Sequence, residues 1–370
     1  MAAPKYDFVV VGAGLYGSTF AWCAREAGAT CLVVDRRNHI GGNCYTRDSD
    51  GITIHQYGPH IFHTNNERVW RFINLFSTFS PYRHRAMSLA KGRLYSLPFT
   101  LQTLYEIYGE VEPESLKARL DDDRIELHRQ PHNLEEYALA TLGKSVYEKL
   151  VRGFTWKQWG RHPRELPASI LARLPVRETF STDYFTDRFQ GVPCGGYTPL
   201  IMRMLDGIEV QLSVDFIKEK SRFTSLAKTV LYTGALDALF ENCHGRLDWR
   251  YVNLEHERIP RKNVQGAAVL NFADVDIPWT RRTEHKHFLS DASEVTWVTR
   301  ESTASEGSEP AYPIETDANR QLHSKYRKMA LEKGYLIGGR LASYRYFDMH
   351  QVISAALSAS QKHFRSVSSA

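Results

Sequence analysis

The sequence predicts an α/β fold in which a parallel-sheet nucleotide-binding domain is interrupted by a helical insert and a second, antiparallel sheet. The first of three observations is an apolar run at residues 8–11 that leads directly into GAGLYG, a helical pattern and a second apolar run ending in Asp35. This order is that of a Rossmann βαβ unit. The other two observations are helical patterns through the middle of the chain and strand patterns that return from about residue 208 to residue 298.

The glycine-rich turn after the first strand predicts where a dinucleotide would bind. Gly12 permits a tight turn, Gly14 lets the backbone approach a pyrophosphate, and Gly17 lets the helix pack closely on the strand. The helix N-terminus then offers N–H groups and a partial positive charge to the phosphates. Asp35, at the end of the second strand, is placed to bind a ribose hydroxyl. A glycine-rich turn without a ligand is the alternative interpretation.

A second glycine turn near the end of the chain narrows the cofactor to FAD. The string Gly338-Gly339-Arg340 precedes a predicted helix that starts at about Asp348. FAD needs a second set of main-chain amides because its flavin lies far from its adenosine, and a helix N-terminus aimed at the flavin favours the anionic reduced form. A nicotinamide dinucleotide would not usually need a site that uses both the N-terminal and the C-terminal glycine turn. The alternative interpretation of Gly338-Gly339-Arg340 is a plain strand-to-loop turn. The predicted fold class is therefore an FAD-binding Rossmann-like domain with a helical insert domain and an antiparallel β-sheet domain.

Composition and charge exclude several classes of protein. The 370 residues are 42% hydrophobic and 24% charged, which is ordinary for a globular chain, and no apolar run is long enough to cross a bilayer. The net charge of +5 comes without a dense Lys/Arg run, so we expect no nucleic acid and no membrane as partner, and an anionic small substrate instead. Five scattered cysteines without a CxxC, and no signal peptide at the start, favour a cytoplasmic protein with reduced thiols.

The middle of the chain contains the strongest helical pattern. Residues 133–152 are amphipathic throughout, and Asn133 with Glu136 resembles a capping box, so the sequence predicts one helix here. Residues 301–312, ESTASEGSEPAY, are predicted to form a loop because they are rich in Ser, Gly and Pro.

The string YGPHIFHT raises the question of a metal site. His60 and His63 form an HxxH pair, but a zinc site needs a third and a fourth ligand, and none is spaced convincingly, so we expect no metal. Structural histidines and histidines that line a flavin pocket are the two remaining interpretations.

Two further strings carry aromatic and cationic side chains. RGFTWKQWG places Phe154, Trp156 and Trp159 just after the amphipathic pattern, as either a core cluster or a surface on which a pyrimidine or adenine stacks. The next stretch contains Arg173 and Arg177, and the planar fork of arginine suits a diphosphate. A lone arginine is more often an ordinary surface residue.

Together these strings make the chain resemble the UDP-galactopyranose mutases of the bacterial class. The matching pieces are VVVGAGLYG, RRNHIGGN, YGPHIFHT, RGFTWKQWG, ARLPVR, FQGVPCGGYTPL, PWTRRTEHKHF and GGRLASYRYFDMHQVISAAL. They follow the family's order from about residue 6 to residue 357, which is nearly the whole chain. YGPHIFHT, the TxxQWG string and RYFDMHQ are the most specific of them.

The resemblance implies an activity and a mechanism. Family members interconvert UDP-galactopyranose and UDP-galactofuranose by ring contraction, and the N5 nitrogen of reduced FAD acts as the nucleophile at the anomeric carbon. The implied partners are these two UDP-sugars, a cellular flavin reductant and a second copy of the chain in a homodimer. The implied role is to supply galactofuranose for cell-surface glycans.

The resemblance also assigns residues through their positions in the matching strings. Arg173 lies fourteen residues beyond Trp159, on a lid near 167–178 that is mobile in the family, and is expected to contact the substrate diphosphate together with Arg281. The implied catalytic residues are Arg173, Arg281 and His63. The implied substrate-binding residues are Phe154, Thr155, Trp159, Arg173, Tyr184, Arg281, Glu301, Tyr312 and Tyr346. The implied cofactor-binding residues are Gly12, Gly14, Gly17, Asp35, Arg36, Gly42, Asn43, His60, Gly339, Arg340, Asp348 and Met349.

The three domains are expected to be discontinuous in the sequence. The expected division assigns residues 1–76, 197–244 and 333–370 to the FAD-binding domain, 100–172 to the helical domain, and 77–99, 173–196 and 245–332 to the antiparallel sheet domain. Two positions depart from the family pattern: Phe154 stands where many members have tyrosine, and His84 lies near a point where members carry asparagine.

Two other classes of function remain open at this point. A flavin oxidoreductase of the amine-oxidase or desaturase kind would share the N-terminal fingerprint and the C-terminal flavin motif, but it would consume an electron acceptor in each turnover. A non-catalytic nucleotide-binding module would bind UDP tightly and give no product from a UDP-sugar.

Overall fold

A computed structural model describes residues 4–172, 174–307 and 310–367 of the chain. Its strands, in chain order, are β1 (Tyr6–Val11), β2 (Cys31–Val34), β3 (Thr46–Ser49), β4 (Ile52–His55), β5 (Phe62–Thr64), β6 (Ala86–Ala90), β7 (Arg93–Leu97), β8 (Phe189–Gly191), β9 (Glu209–Gln211), β10 (Ala227–Tyr232), β11 (Trp249–Ile259), β12 (Val269–Phe272), β13 (Arg281–Glu284), β14 (Thr296–Ala304), β15 (Pro310–Pro313) and β16 (Leu336–Ile337). Its α-helices are α1 (Leu15–Glu26), α2 (Glu67–Ile73), α3 (Leu101–Tyr108), α4 (Pro113–Asp123), α5 (Leu134–Val146), α6 (Arg152–Trp159), α7 (Ser169–Ala172), α8 (Tyr197–Met204), α9 (Lys220–Leu226), α10 (Leu236–Leu239), α11 (Asp317–Glu332), α12 (Gly339–Ala342) and α13 (Met349–Val367). None of the helices in these described ranges combines the length and the apolar character needed to span a bilayer.

A five-stranded parallel sheet in the order β16-β10-β1-β2-β9 holds the glycine-rich turn at its carboxyl edge. Helices cover both faces: α1, α8 and α13 pack around Phe8 and Val10, whereas α9, α10 and α11 pack on the side of Val9. Because both faces are buried, β2 and most of β1 are continuous apolar runs. The predicted Rossmann-like architecture is confirmed.

A seven-stranded sheet in the order β15-β11-β14-β13-β12-β6-β7 forms the second sheet. Its neighbouring strands are antiparallel except for β6 and β12, which are parallel. The predicted antiparallel sheet is therefore confirmed apart from this one pair. The connection between β6 and β12 is long and contains the helical insert, so no hairpin forces the two strands to run in opposite directions.

The helical insert lies between β7 and β8 and comprises α3 to α7. Its helices share a core that includes Leu104, Leu116 and Leu142 and that extends to Ala90 of β6 and to Ala273, the residue after β12. This shared core accounts for the amphipathic patterns in this part of the sequence.

The helical pattern predicted over residues 133–152 is confirmed from residue 134 onwards, but the chain bends inside it. α5 is interrupted at Gly143, where φ is 76° and ψ is 164°, a conformation that is nearly restricted to glycine. The Asp123 carboxylate accepts a hydrogen bond from the main-chain N–H of Ser145 at 2.6 Å, so it caps the turn beyond the bend. A π-helical turn at residues 147–151 then leads into α6.

The segment predicted to be a loop, residues 301–312, is mostly strand at its two ends. β14 continues to Ala304 and β15 begins at Pro310, and the two strands pair with β11 on its opposite sides. Main-chain pairing with β11 is the reason, because it forms in spite of the Ser and Pro residues that favour a loop.

Candidate functional site

A cleft of about 1020 Å³ lies between the two sheets. One wall is formed by the carboxyl ends of β1, β2 and β10, and the other includes side chains of β12, β13 and β14. Open α/β sheets bind ligands outside the carboxyl ends of their strands, so this cleft is the candidate functional site.

The turn between β1 and α1 is shaped for close approach by a phosphate group. Gly12 has φ of +109°, and a Cβ there would collide with the Thr233 hydroxyl. A Cβ on Gly17 would collide with the Gly12 carbonyl oxygen, and a Cβ on Gly42 would lie 3.0 Å from the Cα of Gly14. Because these residues are glycines, the main chain forms an open cradle, which larger residues at the same positions would block. This cradle fits the pyrophosphate of a dinucleotide.

The N-terminus of α1 faces this cradle. Its first turn carries no acidic side chain, and its N-cap, Gly14, makes no side-chain hydrogen bond to the helix. The first N–H groups of an α-helix have no partner within the helix, and the helix dipole adds a partial positive charge. An anion bound here would therefore be stabilised.

Asp35 fixes the glycine-rich turn as well as lining the cleft. Its Oδ2 accepts a hydrogen bond from the Ala13 main-chain N–H at 2.8 Å, and its Oδ1 accepts one from the Arg37 main-chain N–H at 2.9 Å. The sequence predicted contact with a ribose hydroxyl. Each carboxylate oxygen has a second lone pair, so a hydroxyl can bind in addition to these main-chain partners.

The C-terminal part of the chain forms a further wall of the same cleft. Gly339, Arg340, Asp348 and Met349 line it. Gly338, just before them, packs on the Tyr16 ring, where a Cβ would collide with the phenol. The two glycine turns that the sequence singled out therefore face one cavity, which suits a cofactor as long as FAD.

His60 is a neutral side chain in this cleft. Burial lowers its pKa to about 4, so the ring carries no charge near pH 7. Its Nδ1 lies 2.8 Å from the Gly58 carbonyl oxygen, which can only accept a hydrogen bond. The proton is therefore on Nδ1, and Nε2 is left as an acceptor.

His63 is held on two sides and belongs to a group that could bind a metal. Its ring stacks on Phe185 at a centroid distance of 3.7 Å, and its Nδ1 lies 2.7 Å from Asp187 Oδ2. Ligand atoms of His63, Asp348 and His350 lie within 4.8 Å of one another. The sequence did not indicate this group, because two of its members lie far along the chain from the HxxH pair. The expectation of no metal stays a prediction.

Arg281 supplies the central cation of the opposite wall. Its Nη1 lies 3.3 Å from Glu301 Oε2, and its Nε donates to Asn271 Oδ1 at 3.2 Å. Burial opposes the charge of the guanidinium, but Glu301 and the phenols of Tyr312 and Tyr184 keep the Arg281 pKa above its usual value. Arg281 therefore stays charged at every accessible pH and can bind a diphosphate.

Aromatic side chains surround this cation. Tyr312 and Tyr346 stack with ring centroids 5.7 Å apart, and Tyr184 also lines the cleft. Burial raises the pKa of Tyr312, so its hydroxyl keeps its proton and can donate a hydrogen bond. The tyrosines can thus add donors around an anion that Arg281 binds.

The predicted uridine residues lie beside the cleft and not in its lining. Phe154, Thr155 and Trp159 all belong to α6. Trp159 reaches the site through Tyr312, with ring centroids 6.5 Å apart. Thr155 is buried, and Phe154 is half-buried.

Of the two arginines near the predicted lid, only Arg177 belongs to the described residues. Arg173, predicted to bind the diphosphate, lies outside the described residues. Arg177 lines the cleft, but its guanidinium donates to the main-chain carbonyl oxygens of Asp183 and Tyr184, at 2.8 and 2.7 Å. Arg177 therefore fixes the segment that carries Tyr184.

All of the predicted cofactor-binding residues line the cleft, as do His63, Tyr184, Arg281, Glu301, Tyr312 and Tyr346. Sequence reasoning missed Asn271 and Asp187, which contact Arg281 and His63, because strand pairing and loop packing bring them there. It noted His84 only as a departure. In the structure His84 lines the cleft, and burial lowers its pKa to about 3.

Comparisons with known proteins give sequence relatives over nearly the whole chain. A family model described as UDP-galactopyranose mutase matches residues 149–346, and one described as an NAD(P)-binding Rossmann-like domain matches residues 10–76. The chain is 38% identical to "Probable UDP-galactopyranose mutase" of Klebsiella pneumoniae, over 98% of this chain and 95% of that protein. It is 35% identical to dTDP-fucopyranose mutase of Escherichia coli, over 96% of this chain and 98% of that protein.

Solved structures show the same fold. A crystal structure of reduced UDP-galactopyranose mutase matches with a TM-score of 0.75 and 14% identity, over 98% of this chain and 94% of that chain. A putrescine oxidase structure matches with a TM-score of 0.56 and 12% identity, over 96% of this chain and 98% of that chain. The fold alone does not separate a mutase from an oxidase, but the sequence relatives do. The chain belongs to the UDP-galactopyranose mutase family, whose members are flavin-dependent isomerases.

Proposed function

We propose that this protein interconverts UDP-galactopyranose and UDP-galactofuranose by ring contraction, with FAD in its reduced form as the cofactor. The observation that carries the proposal is a cationic, tyrosine-lined wall in the same cleft as the glycine-rich turn. A diphosphate and a dinucleotide can then lie side by side. Family membership is the second support.

The residues of the cleft fit FAD. The glycine-rich turn and the α1 N-terminus would hold its pyrophosphate, Asp35 and Arg36 would contact its adenosine, and the wall at 339–349 would contact its flavin. When it is bound and reduced, the flavin supplies a nucleophilic nitrogen, N5, for the anomeric carbon of the sugar. His60 and His63 would line the flavin pocket.

The protein's own contribution is to bind the departing diphosphate. Arg281 would stabilise the negative charge that grows on the diphosphate, and Glu301 would orient that guanidinium through their contact of 3.3 Å. Arg173 is proposed as the second cation. Because UDP must be retained while the sugar ring opens and closes, hydrogen bonds from Tyr184, Tyr312 and Tyr346 would keep it in place.

The uridine is proposed to bind at the end of the cleft next to α6. Trp159 borders Tyr312 there, and Phe154 offers a ring for stacking without the hydroxyl that many family members have. Closure of a lid near residues 167–178 would bring Arg173 to the diphosphate and exclude water.

Product chromatography tests the proposal. Dithionite-reduced, FAD-loaded protein is incubated with UDP-galactofuranose, and we expect UDP-galactopyranose to appear. No conversion by fully flavin-loaded, reduced protein would overturn the proposal.

A thymidine diphosphate sugar is the second candidate substrate, because the identity to dTDP-fucopyranose mutase extends over 96% of the chain. Side-by-side measurement of kcat/KM for UDP-galactofuranose and dTDP-fucofuranose separates the two. We expect the uridine substrate to give the higher value, and a higher value for the thymidine substrate would reassign the enzyme.

The remaining parts of the proposal concern the setting of the enzyme. A cellular flavin reductant, a homodimer and a supply of galactofuranose to cell-surface glycans come from the family resemblance, and a cytoplasmic location comes from the scattered cysteines. Light scattering of the purified holoenzyme tests the homodimer, with twice the chain mass expected.

A further inference from the structure

A second concave site lies outside the catalytic cleft. It has a volume of about 500 Å³ and lies between α11 and the segment that follows α12. Its charged lining comprises the cations Arg320, Arg327 and Arg345 and the acid Glu315, whereas burial lowers the pKa of His323 and leaves that ring neutral near pH 7. The site is therefore strongly biased towards anions.

The positions of these side chains follow from the fold. Arg320, His323 and Arg327 are at positions i, i+3 and i+7 of α11, so they share one face of the helix. Arg345 belongs to the segment after α12, and its guanidinium lies 4.9 Å from the Phe347 ring centroid. Cations from two separate elements thus border one cavity.

The charges at this site are not fully balanced within the protein. Arg320 pairs with Asp317 at 2.8 Å and lies 4.0 Å from Glu315. In the described part of the chain, neither Arg327 nor Arg345 forms an ion pair with an acidic side chain. Arg327 and Arg345 are both exposed, so their guanidinium groups are available to an anion that enters the cavity.

We propose that this cavity binds a small soluble anion that carries a phosphate or diphosphate group. The planar fork of arginine donates two parallel hydrogen bonds to such a group. Tyr344 and Phe347 give the cavity an aromatic lining, which suits a small organic phosphate. Phe347 also lines the catalytic cleft, so the two sites share the segment that carries Tyr346.

Calorimetric titration with inorganic pyrophosphate tests the proposal. The titration uses FAD-loaded protein with saturating UDP, which occupies the catalytic cleft. We expect one pyrophosphate site, and we expect Arg327→Gln and Arg345→Gln each to weaken its Kd at least tenfold. Lys325→Gln is the matched control, because it removes the same charge from an exposed position of α11 that does not line the cavity, and we expect its Kd to stay within twofold of the wild type.

Three outcomes would overturn the proposal. The first is the absence of binding in the presence of UDP, and the second is an equal Kd for Arg327→Gln and Lys325→Gln. The third is co-sedimentation with phosphatidylglycerol vesicles that Arg327→Gln abolishes and Lys325→Gln preserves, because the phosphate would then belong to a lipid headgroup. Flavin absorbance and circular dichroism of both arginine variants verify that they are folded.

Discussion

Arg281 and Arg282 are adjacent in the sequence and have different surroundings in the structure. Successive side chains of a strand point to opposite faces, so only one of the two can face the cleft. Arg281 faces it and contacts Glu301, whereas the Nε of Arg282 donates to Gln265 Oε1 at 2.8 Å. Arg281 is therefore the cation that lines the cleft, and Arg282 is held against Gln265.

Arg281→Lys is expected to lower kcat about 10²–10³-fold, because a lysine cannot reproduce the two-pronged contact with a diphosphate. The glycine-rich turn is unchanged, so the flavin absorbance per mole of protein should stay at the wild-type value. Arg282→Lys is the matched control and should keep kcat within about threefold of the wild type, far less than the loss of an oxyanion donor. Equal losses of kcat in the two variants would show that Arg281 has no special role.

Among single residues, those of a motif with a fixed spacing could be predicted from the sequence better than those that reach the site only through tertiary contacts. Gly12, Gly14 and Gly17 could be assigned because a fixed spacing carries their function. Asn271 could not be assigned, because it meets Arg281 only through the register of β12 and β13, in which the two residues are partners. The pairing of strands that are distant in the sequence has no local signal.

α1 is the element on which the proposed cofactor binding depends most directly. It starts immediately after the glycine-rich turn, and its packing on β1 leaves no room for a Cβ at Gly17, which would meet the Gly12 carbonyl and the Val10 side chain. The N–H groups of its first turn point to where the cofactor's phosphates are proposed to lie.

Gly17→Ala is expected to displace the N-terminus of α1 and to reduce the FAD content of the purified protein at least tenfold, since the cradle cannot close around the pyrophosphate. The ratio of flavin to protein absorbance measures this content. Thr19→Val on the same helix is the control. The Thr19 hydroxyl has no hydrogen-bond partner in the described part of the chain, and valine has nearly the same shape. A normal flavin content in Gly17→Ala would contradict the assigned role of the turn.

Helices and strands could be predicted where the same face, or both faces, are buried along the whole element. The parallel strands and α13 could be predicted, because burial on one or both sides leaves a clear pattern. The bend in α5 could not, because the turn after Gly143 is capped by Asp123 of another helix through the Ser145 main-chain N–H. The strand ends within 301–312 were missed because pairing with β11 overrides their polar composition.

For the molecule as a whole, the cleft depends on parts of the chain that are far apart in the sequence. Residues of both glycine turns line it, and β13 and β14 of the other sheet close it. The sequence predicted both turns and the fold class, and the domain division it suggested stays a prediction. The burial of several histidines around the cleft has a consequence for stability.

Stability is expected to fall as the pH is lowered from about 6.5 towards 4. Burial lowers the pKa of His55 to about 3, of His60 to about 4 and of His84 to about 3. In this range the unfolded chain binds protons that the folded chain does not, so protons favour unfolding. Each such histidine contributes up to about 1.4 kcal/mol per pH unit to the slope.

Urea unfolding of the holoenzyme at pH 7.5, 6.0 and 5.0 measures this slope. His55→Asn keeps a hydrogen-bond acceptor for the main-chain N–H of His60 and removes one titrating group. The pH dependence of its unfolding free energy should therefore correspond to the uptake of about one proton fewer on unfolding. An unfolding free energy that is independent of pH over this range would contradict the expected burial of the histidines.

The most direct test compares the isomerisation rates of the oxidised and dithionite-reduced holoenzyme on UDP-galactofuranose while the consumption of reducing equivalents is followed. Our account predicts conversion only by the reduced form, with many turnovers for each electron pair supplied, because the flavin acts as a bond-forming group and returns unchanged. Equal rates in the two redox states, or one electron pair consumed in each turnover, would contradict it.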